Sequence, residues 1–205
     1  MSETAISVIF LDIGNVLLTN GWDRPMHLCA AEHFGLDYAD LQERHDLVFD
    51  TCELGKLTLN DYLQRVVFYR KRNFSPGEFT DFMFSQSRPQ PEMLALARRL
   101  KKRHRLKIVA LSNETRELTA HRVDTFKLRE IFDFFIVSCF VHLRKPDPEI
   151  FRLALDSVQA PPSETLYIDD REIFIRTAGE FGINGIHHTG VESTRTAIES
   201  FGLRL

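Results

Sequence analysis

Short apolar runs that end in polar residues constrain the fold of this chain more than any other feature of its sequence. Five runs of this kind occur: ISVIFL (6–11), LKIVALS (106–112), DFFIVS (133–138), TLYID (165–169) and, more weakly, GINGIHH (182–188). Continuous apolar runs this short, rich in β-branched and aromatic residues, predict strands that are covered on both faces. The sequence therefore predicts a buried sheet.

Helical patterns separate these runs. The stretches PEMLALARRLKKRH (91–104) and PEIFRLALDSV (148–158) open with proline and carry the apolar spacing of amphipathic helices, and TRELTAHRVDTF (115–126) reads as a polar-faced helix. Strands that alternate with helices form parallel sheets with helices on both faces. We expect an α/β fold with a Rossmann-like core.

Residues 22–84 interrupt the alternation with helix-like stretches only, separated by turns at Gly35, Gly55 and Pro76. This pattern predicts an all-helical subdomain inserted after the first strand. The expected domains are a core of residues 1–19 and 87–205 and a helical insertion of residues 20–86. The aromatic-rich stretch FSPGEFTDFMF (74–84) is interpreted as part of the packed core of the insertion, because aromatic residues dominate small cores.

The composition of the chain limits the cellular environment and the partners that we expect for the protein. A chain of 205 residues with a net charge of -3 has no basic footprint for a nucleic acid backbone, so no nucleic acid partner is expected. Its 3 cysteines lie far apart, without the spacing of a zinc site or a disulfide framework. The first apolar run is too short to cross a membrane. We expect a soluble, cytoplasmic protein that is a monomer or a homodimer and has no membrane partner.

Polar residues follow the predicted strands, at the edge where ligands bind in open parallel sheets. They are Asp12, Ser112 with Asn113, Lys145 ahead of a helix, and the pair Asp169 and Asp170. Each alone could be a cap or a solvated charge, but folding does not require so many charges at one edge. Three nearby carboxylates repel one another unless a cation lies among them, and Mg²⁺ is the hard ion that oxygen ligands favour. Such a metal beside a lysine and a hydroxyl suits phosphoryl transfer.

The ordered motifs LDIGNV (11–16), LSN (111–113), RKPDPEIF (144–151) and YIDD (167–170) resemble those of the haloacid dehalogenase superfamily. The helical insertion resembles the small cap of its first cap class, and GNVLLTNGWDR (14–24) is similar to a subgroup that includes an α-D-glucose-1-phosphate phosphatase. The resemblance implies hydrolysis of a small phosphate ester with Mg²⁺ as cofactor.

By that resemblance, Asp12 is the nucleophile and forms an aspartyl-phosphate intermediate. Ser112 and the backbone N–H of Asn113 bind the phosphate oxygens, and Lys145 balances charge between them and Asp12. The implied metal ligands are Asp12, the backbone carbonyl of Gly14, Asp169 and, directly or through water, Asp170.

Gly14 departs from the family pattern, because phosphatases of the family usually have a second aspartate there that serves as general acid and base. Such help is worth about 10² to 10⁴ in rate. Three interpretations stay open. The substrate can have a good leaving group, such as a sugar 1-phosphate; a residue of the cap, Asp23 or His27, can supply the proton; or the protein can bind phosphate or a partner without catalysis.

Further expectations concern the substrate and the helix after the acidic pair. Trp22, Arg24 and Lys56 are candidate substrate contacts, each with a packing or solvated role as the alternative. A metal-free 2-haloacid dehalogenase is the rival enzyme class, which the acidic pair disfavours. The segment after that pair is interpreted as a helix that packs Ile173 and Phe174 onto the sheet.

Overall fold

Five parallel strands form a single sheet in residues 5–204, the part of the chain that the computed structural model describes. The strand order is β3-β2-β1-β4-β5. The strands are β1 (Val8–Leu11), β2 (Lys107–Ser112), β3 (Phe134–Val137), β4 (Thr165–Asp169) and β5 (Asn184–His187). Each of the five predicted runs contains one strand, so the predicted parallel sheet is confirmed. The first strand is two residues shorter than its run.

Both faces of the sheet are buried, which explains why its strands are apolar without alternation. Along β1, Ile9 and Leu11 belong to one hydrophobic cluster, whereas Val8 and Phe10 belong to a second cluster on the opposite face. Successive side chains of a strand point to opposite faces, so a sheet between two helical layers needs apolar residues at every position.

Ten α-helices complete the described part of the chain. Four follow β1, namely α1 (Arg24–Phe34), α2 (Tyr38–Glu53), α3 (Leu59–Val66) and α4 (Pro76–Ser85). The others are α5 (Pro91–His104), α6 (Arg116–Thr125), α7 (Ser138–Val141), α8 (Pro148–Val158), α9 (Glu172–Gly179) and α10 (Val191–Ser200). Between residues 5 and 204, none of these helices has the length and apolar character needed to cross a bilayer.

Helices α1 to α4 enclose a hydrophobic cluster of their own. Buried members include Trp22, Tyr62, Phe79 and Met83, and several partly buried phenylalanines pack around them. Capping boxes begin α3 at Thr58 and α4 at Ser75, so local sequence sets these helix starts. The aromatic residues of the stretch 74–84 therefore form packing contacts, as the sequence predicted.

Helix α9 corrects one expectation about packing. Phe174 and Ala178 are buried against the sheet, but Ile173 is 48% exposed. The helix begins only at Glu172, so Ile173 lies in its first turn, one position before the residue that faces the sheet. Adjacent residues of a helix point about 100° apart, so Ile173 faces solvent while Phe174 faces the sheet.

Candidate active site

The predicted strand-end residues meet because β1 lies between β2 and β4. Asp12 follows β1 directly, and its backbone N–H donates to the carbonyl oxygen of Ile168 over 3.0 Å, which places it beside the end of β4. Asp169 is the last residue of β4, and Ser112 is the last residue of β2. The topology alone therefore brings these side chains to one edge of the sheet.

Lys145 connects the two aspartates. Its Nζ donates to Asp12 Oδ1 over 2.9 Å, to Asp169 Oδ2 over 2.6 Å and to the carbonyl oxygen of Leu111 over 2.9 Å. The side chain is 1% exposed, so the ammonium group is removed from water and neutralised by carboxylates. Burial alone lowers the pKa of Lys145, but the negative charges of Asp12 and Asp169 outweigh it and raise the pKa above its usual value.

The loop that carries Lys145 is held by Asn113. The backbone N–H of Lys145 donates to Asn113 Oδ1 over 2.8 Å, and Asn113 Nδ2 donates to the carbonyl oxygen of Lys145 over 2.8 Å. The side chain of Asn113 thus positions the lysine, a role that the sequence did not suggest. Ser112 is buried, and its hydroxyl lies 3.4 Å from Glu114 Oε1.

Burial raises the pKa of Asp12 to about 7, the nearby Lys145 ammonium lowers it, and the charge of Asp169 raises it again. The carboxylate is thus poorly solvated, and positive charge decides how far it is ionised. Tyr167 donates a hydrogen bond to Asp169, and burial holds the pKa of its hydroxyl far above the usual value, so it remains a donor.

Three carboxylates at this edge could hold a metal ion. One oxygen from each of Asp12, Asp169 and Asp170 lies within 4.8 Å of the other two. All the donors are oxygens, the ligand set that suits a hard divalent cation such as Mg²⁺.

Asn15 supports the acidic cluster from the loop after β1. Its Nδ2 donates to Asp170 Oδ2 over 3.0 Å, and its backbone has a φ of 52, a conformation that asparagine adopts more readily than most residues. Asn15 was not among the predicted site residues. Its place next to Gly14 in the first motif was the available signal.

Gly14 faces the side chain of Asn20. A Cβ atom on Gly14 would lie 2.6 Å from Asn20 Oδ1 and 4.0 Å from Asp12 Oδ2. The space that a side chain at position 14 needs is therefore occupied by an amide from the loop that leads to α1.

A cavity of about 460 Å³ opens over this edge, between the sheet and helices α1 and α2. Trp22 and Arg24 both line it, and a contact of either residue with the substrate stays a prediction. Trp22 is also part of the helical core, because its Nε1 donates to the hydroxyl of Tyr62 over 2.8 Å and its ring packs edge-on against Phe79. Its packing role is established by these contacts, and a substrate role stays a prediction.

Lys56 is exposed and is not among the residues that line this cavity, so a contact between Lys56 and the substrate stays a prediction that the cavity does not support. The loop before α3 packs against α7 instead. Gly55 of this loop lies so close to the carbonyl group of Cys139 that a Cβ atom on Gly55 would be 2.1 Å from the carbonyl oxygen. Glu53, the last residue of α2 before this loop, lines the cavity.

Charged side chains join separate segments of the chain around the cavity. Arg144 donates to Asp50 over 2.8 Å and to Glu53 over 2.6 Å, and it directly precedes Lys145. On the other side, the buried Arg122 contacts Glu114 at 2.6 Å and the carbonyl oxygen of Thr19 at 2.8 Å. These contacts were not predicted, because Arg144 is 91 residues from Glu53 and Arg122 is 103 residues from Thr19 in the chain.

His27 lines the cavity but has no proton to donate there. Gln42 Nε2 donates to Asp46 over 2.7 Å, so Gln42 Oε1 faces His27 Nδ1 at 2.9 Å and accepts its proton. Burial lowers the pKa of His27, so the ring is neutral and its Nε2 carries a lone pair. Within residues 5–204 that Nε2 has no partner. This hydrogen bonding argues against His27 as the proton donor.

Comparisons with known proteins agree with this site. A profile of the haloacid dehalogenase-like hydrolase family matches residues 6–182. The matched range contains strands β1 to β4, helices α1 to α9 and all the predicted site residues at the strand ends. The chain belongs to this family.

Individual relatives share parts or all of the fold. A haloacid dehalogenase family enzyme of Bacteroides thetaiotaomicron, solved with magnesium and inorganic phosphate, is 25% identical, with a TM-score of 0.75 over 89% of this chain and 93% of that one. The L-2-haloacid dehalogenase of Xanthobacter autotrophicus, 15% identical with a TM-score of 0.62 over 95% of this chain and 83% of that one, shares the fold. Bifunctional epoxide hydrolase 2 of Sus scrofa is 33% identical over 130 residues, 62% of this chain. The chain spans only 23% of that relative's length.

Proposed function

We propose that this protein is a Mg²⁺-dependent phosphomonoester hydrolase that acts on a small phosphorylated metabolite such as a sugar phosphate. The observation that carries the proposal is the buried ammonium group of Lys145 between Asp12 and Asp169, with Asp170 close enough to complete an oxygen-only cluster. The relative from Bacteroides thetaiotaomicron, solved with magnesium and inorganic phosphate, supports the same chemistry.

The proposed nucleophile is Asp12 Oδ2, because Lys145 occupies Oδ1. This oxygen attacks phosphorus as the bond to the leaving oxygen breaks, which gives an aspartyl phosphate that water then hydrolyses. Lys145 offsets the charge that gathers between Asp12 and the phosphoryl group. Ser112 and the backbone N–H of Asn113 are the proposed phosphate contacts.

Mg²⁺ bound to Asp12, Asp169, Asp170 and the carbonyl of Gly14 would neutralise the acidic cluster and the phosphoryl oxygens. The cavity is within the size range of small-molecule sites. Its lining is rich in polar and charged residues, among them Arg24, Asp23 and Gln42, which suits a hydrophilic leaving group.

An assay for phosphate release tests this function. The purified protein is offered a panel of phosphate esters and, in parallel, 2-chloropropionate, with Mg²⁺ and with a chelator. We expect phosphate release that needs Mg²⁺ and is abolished by Asp12→Asn, which keeps the shape of the side chain but removes its charge. Chloride release that survives the chelator would instead make the protein a dehalogenase.

A second candidate, binding without catalysis, rests on the glycine at position 14. It predicts Mg²⁺ and phosphate binding by calorimetry with no turnover of any ester. The dehalogenase is the weaker rival, since a reaction without metal gains nothing from the carboxylates of Asp169 and Asp170 beside a nucleophile that must be charged.

A further inference from the structure

The side chain of Asn20 occupies the place next to the proposed nucleophile that Gly14 leaves open. A Cβ atom on Gly14 would be 2.6 Å from Asn20 Oδ1 and 4.0 Å from Asp12 Oδ2. The Cβ position of Gly14 is thus on the side of Asp12 that Lys145 does not cover, since the lysine donates to Oδ1. Asn20 Oδ1 and Asp12 Oδ2, the oxygen that would attack phosphorus, both border the space beside Gly14.

Asn20 is held in this place through its backbone. Its N–H donates to Asn15 Oδ1 over 3.1 Å, and Asn15 Nδ2 donates in turn to Asp170 Oδ2 over 3.0 Å. Two hydrogen bonds therefore fix the position of Asn20 relative to the acidic cluster. The side-chain amide itself makes no hydrogen bond to any residue in the range 5–204, although it is half-buried and lines the cavity.

Other groups near this place are less suited to meet the leaving group. His27 uses its only proton on Gln42. Asp23 accepts a hydrogen bond from the backbone N–H of Met26 as the N-cap of α1. Asn20 makes no such bond with its side-chain amide, so the amide can turn about its Cβ–Cγ bond without losing a hydrogen bond and bring Nδ2 to the place beside Gly14 that Oδ1 faces.

We propose that the side-chain amide of Asn20 donates a hydrogen bond to the leaving oxygen of the substrate, in the place of a general acid. This inference rests on the proposed function. In the first step the bond from Asp12 Oδ2 to phosphorus forms and the bond from phosphorus to the leaving oxygen breaks. The electron pair of the broken bond stays on that oxygen, which takes its proton from water.

A specificity follows from the chemistry of the amide. A carboxylic acid can transfer a proton to the leaving oxygen, whereas an amide can only stabilise the negative charge by hydrogen bonding. The site therefore favours esters whose leaving oxygen carries negative charge easily, such as the phosphate of a hemiacetal, a phenol or an acid. Phosphates of simple alcohols are poor substrates.

The test compares variants on a graded series of esters with Mg²⁺ present: p-nitrophenyl phosphate, phenyl phosphate, a hexose 1-phosphate and a hexose 6-phosphate. The variants are Asn20→Ala, which removes the donor, and Asn20→Asp, which keeps the shape and adds an ionisable group. Asn73→Asp, an exposed change in the loop before α4, is the matched control. Circular dichroism and Mg²⁺ titration check that each variant is folded and binds metal.

We expect kcat/KM of Asn20→Ala to fall by about 10-fold or more on the hexose 6-phosphate, as for other donors to a developing oxyanion, and much less on p-nitrophenyl phosphate. Asn20→Asp should raise the ratio of hexose 6-phosphate to p-nitrophenyl phosphate turnover. It should also add an alkaline limb to the pH profile, because the acid must be protonated to act. Asn73→Asp should leave kcat/KM on each ester, and the ratio of hexose 6-phosphate to p-nitrophenyl phosphate turnover, as they are in the unmodified protein.

Equal losses on all four esters, or no loss, would show that Asn20 only fills space and would overturn the inference. Unchanged ester ratios and pH profile in Asn20→Asp would do the same. An unmodified protein that releases phosphate from none of the esters overturns the proposed function, and this inference with it. If the unmodified protein is active on the esters but the Asn20 variants keep its ester ratios, the proposed function stands and only this inference fails.

Discussion

Lys145 Nζ lies 2.9 Å from Asp12 Oδ1, and both side chains are buried. Replacing the lysine by methionine would leave two buried carboxylates, those of Asp12 and Asp169, without their counter-charge. Breaking a buried pair in this way costs about 3–5 kcal/mol. We expect Lys145→Met to lower the free energy of unfolding by this order and to abolish phosphate release.

Urea unfolding at pH 8, in the presence of a chelator, measures the effect. Lys71→Met, at an exposed position of the loop before α4, is the control and should change the free energy of unfolding little. Because burial already raises the pKa of Asp12 to about 7, its carboxyl can take up a proton at lower pH. The loss should therefore be smaller at pH 6 than at pH 8. A loss as small as that of the control would contradict the role given to Lys145.

Arg122 and Glu114 form a second buried pair, with 2.6 Å between Nη1 and Oε1. Arg122 also donates to Ser87, which follows α4, and to the carbonyl oxygen of Thr19, which precedes α1. We expect Arg122→Met to lower the free energy of unfolding by about 3–5 kcal/mol, because Glu114 stays buried without a partner.

The exposed pair of Arg129 and Asp124 offers a comparison at 3.5 Å, and Arg129→Met should cost at most about 1 kcal/mol. Adding Glu114→Gln to Arg122→Met should restore part of the stability, since the unpaired charge is then gone. A double variant as unstable as the sum of both single variants would show that the two residues do not act as a pair.

The strands and the central charged residues were predictable because they depend on local patterns and on the topology of a parallel sheet. Asp12, Asp169 and Lys145 each stand beside a recognisable strand or helix start. Asn20 and the ion pair of Arg144 with Glu53 were not predictable, since they depend on how the insertion packs on the sheet. The position of Lys56 outside the cavity lining was not predictable for the same reason, since the docking of its loop on α7 depends on tertiary contacts.

Gly14→Asp restores the acid that the family usually has, but Asn20 fills the space it needs. With a Cβ atom 2.6 Å from Asn20 Oδ1, the amide must move. We expect a cost in stability of about 1–3 kcal/mol, typical of added volume in a packed site. Thermal unfolding of Gly14→Asp, Asn20→Ala and the double variant measures it, and the double variant should recover most of the loss.

Gly179→Asp is the control for adding the same side chain, because a Cβ atom there meets nothing within 4 Å. It should leave phosphate release unchanged. If Gly14→Asp alone is as stable as the unmodified protein, the amide of Asn20 moves aside without cost, and Asn20 does not crowd position 14. The double variant should also gain turnover of alkyl phosphates, since its acid then has room to protonate the leaving oxygen.

His45 makes the stability of the helical insertion depend on pH. Burial, with the nearby His27 and Arg24, lowers the pKa of His45 to about 3, against 6.5 for the unperturbed group. The unfolded chain therefore binds a proton between these values that the folded chain does not, so this contribution to stability is complete above pH 6.5 and is lost as the pH falls toward 3. Unfolding measured at pH 7.5 and at pH 5 should show that His45 lowers the free energy of unfolding by up to about 1.4 kcal/mol for each pH unit within this window.

His45→Asn should reduce that difference between the two pH values. Phe49→Leu is the control, because it removes a ring stacked on His45 but no titrating group, and it should lower the free energy of unfolding equally at both pH values. A pH dependence that persists unchanged in His45→Asn would assign the effect to other groups.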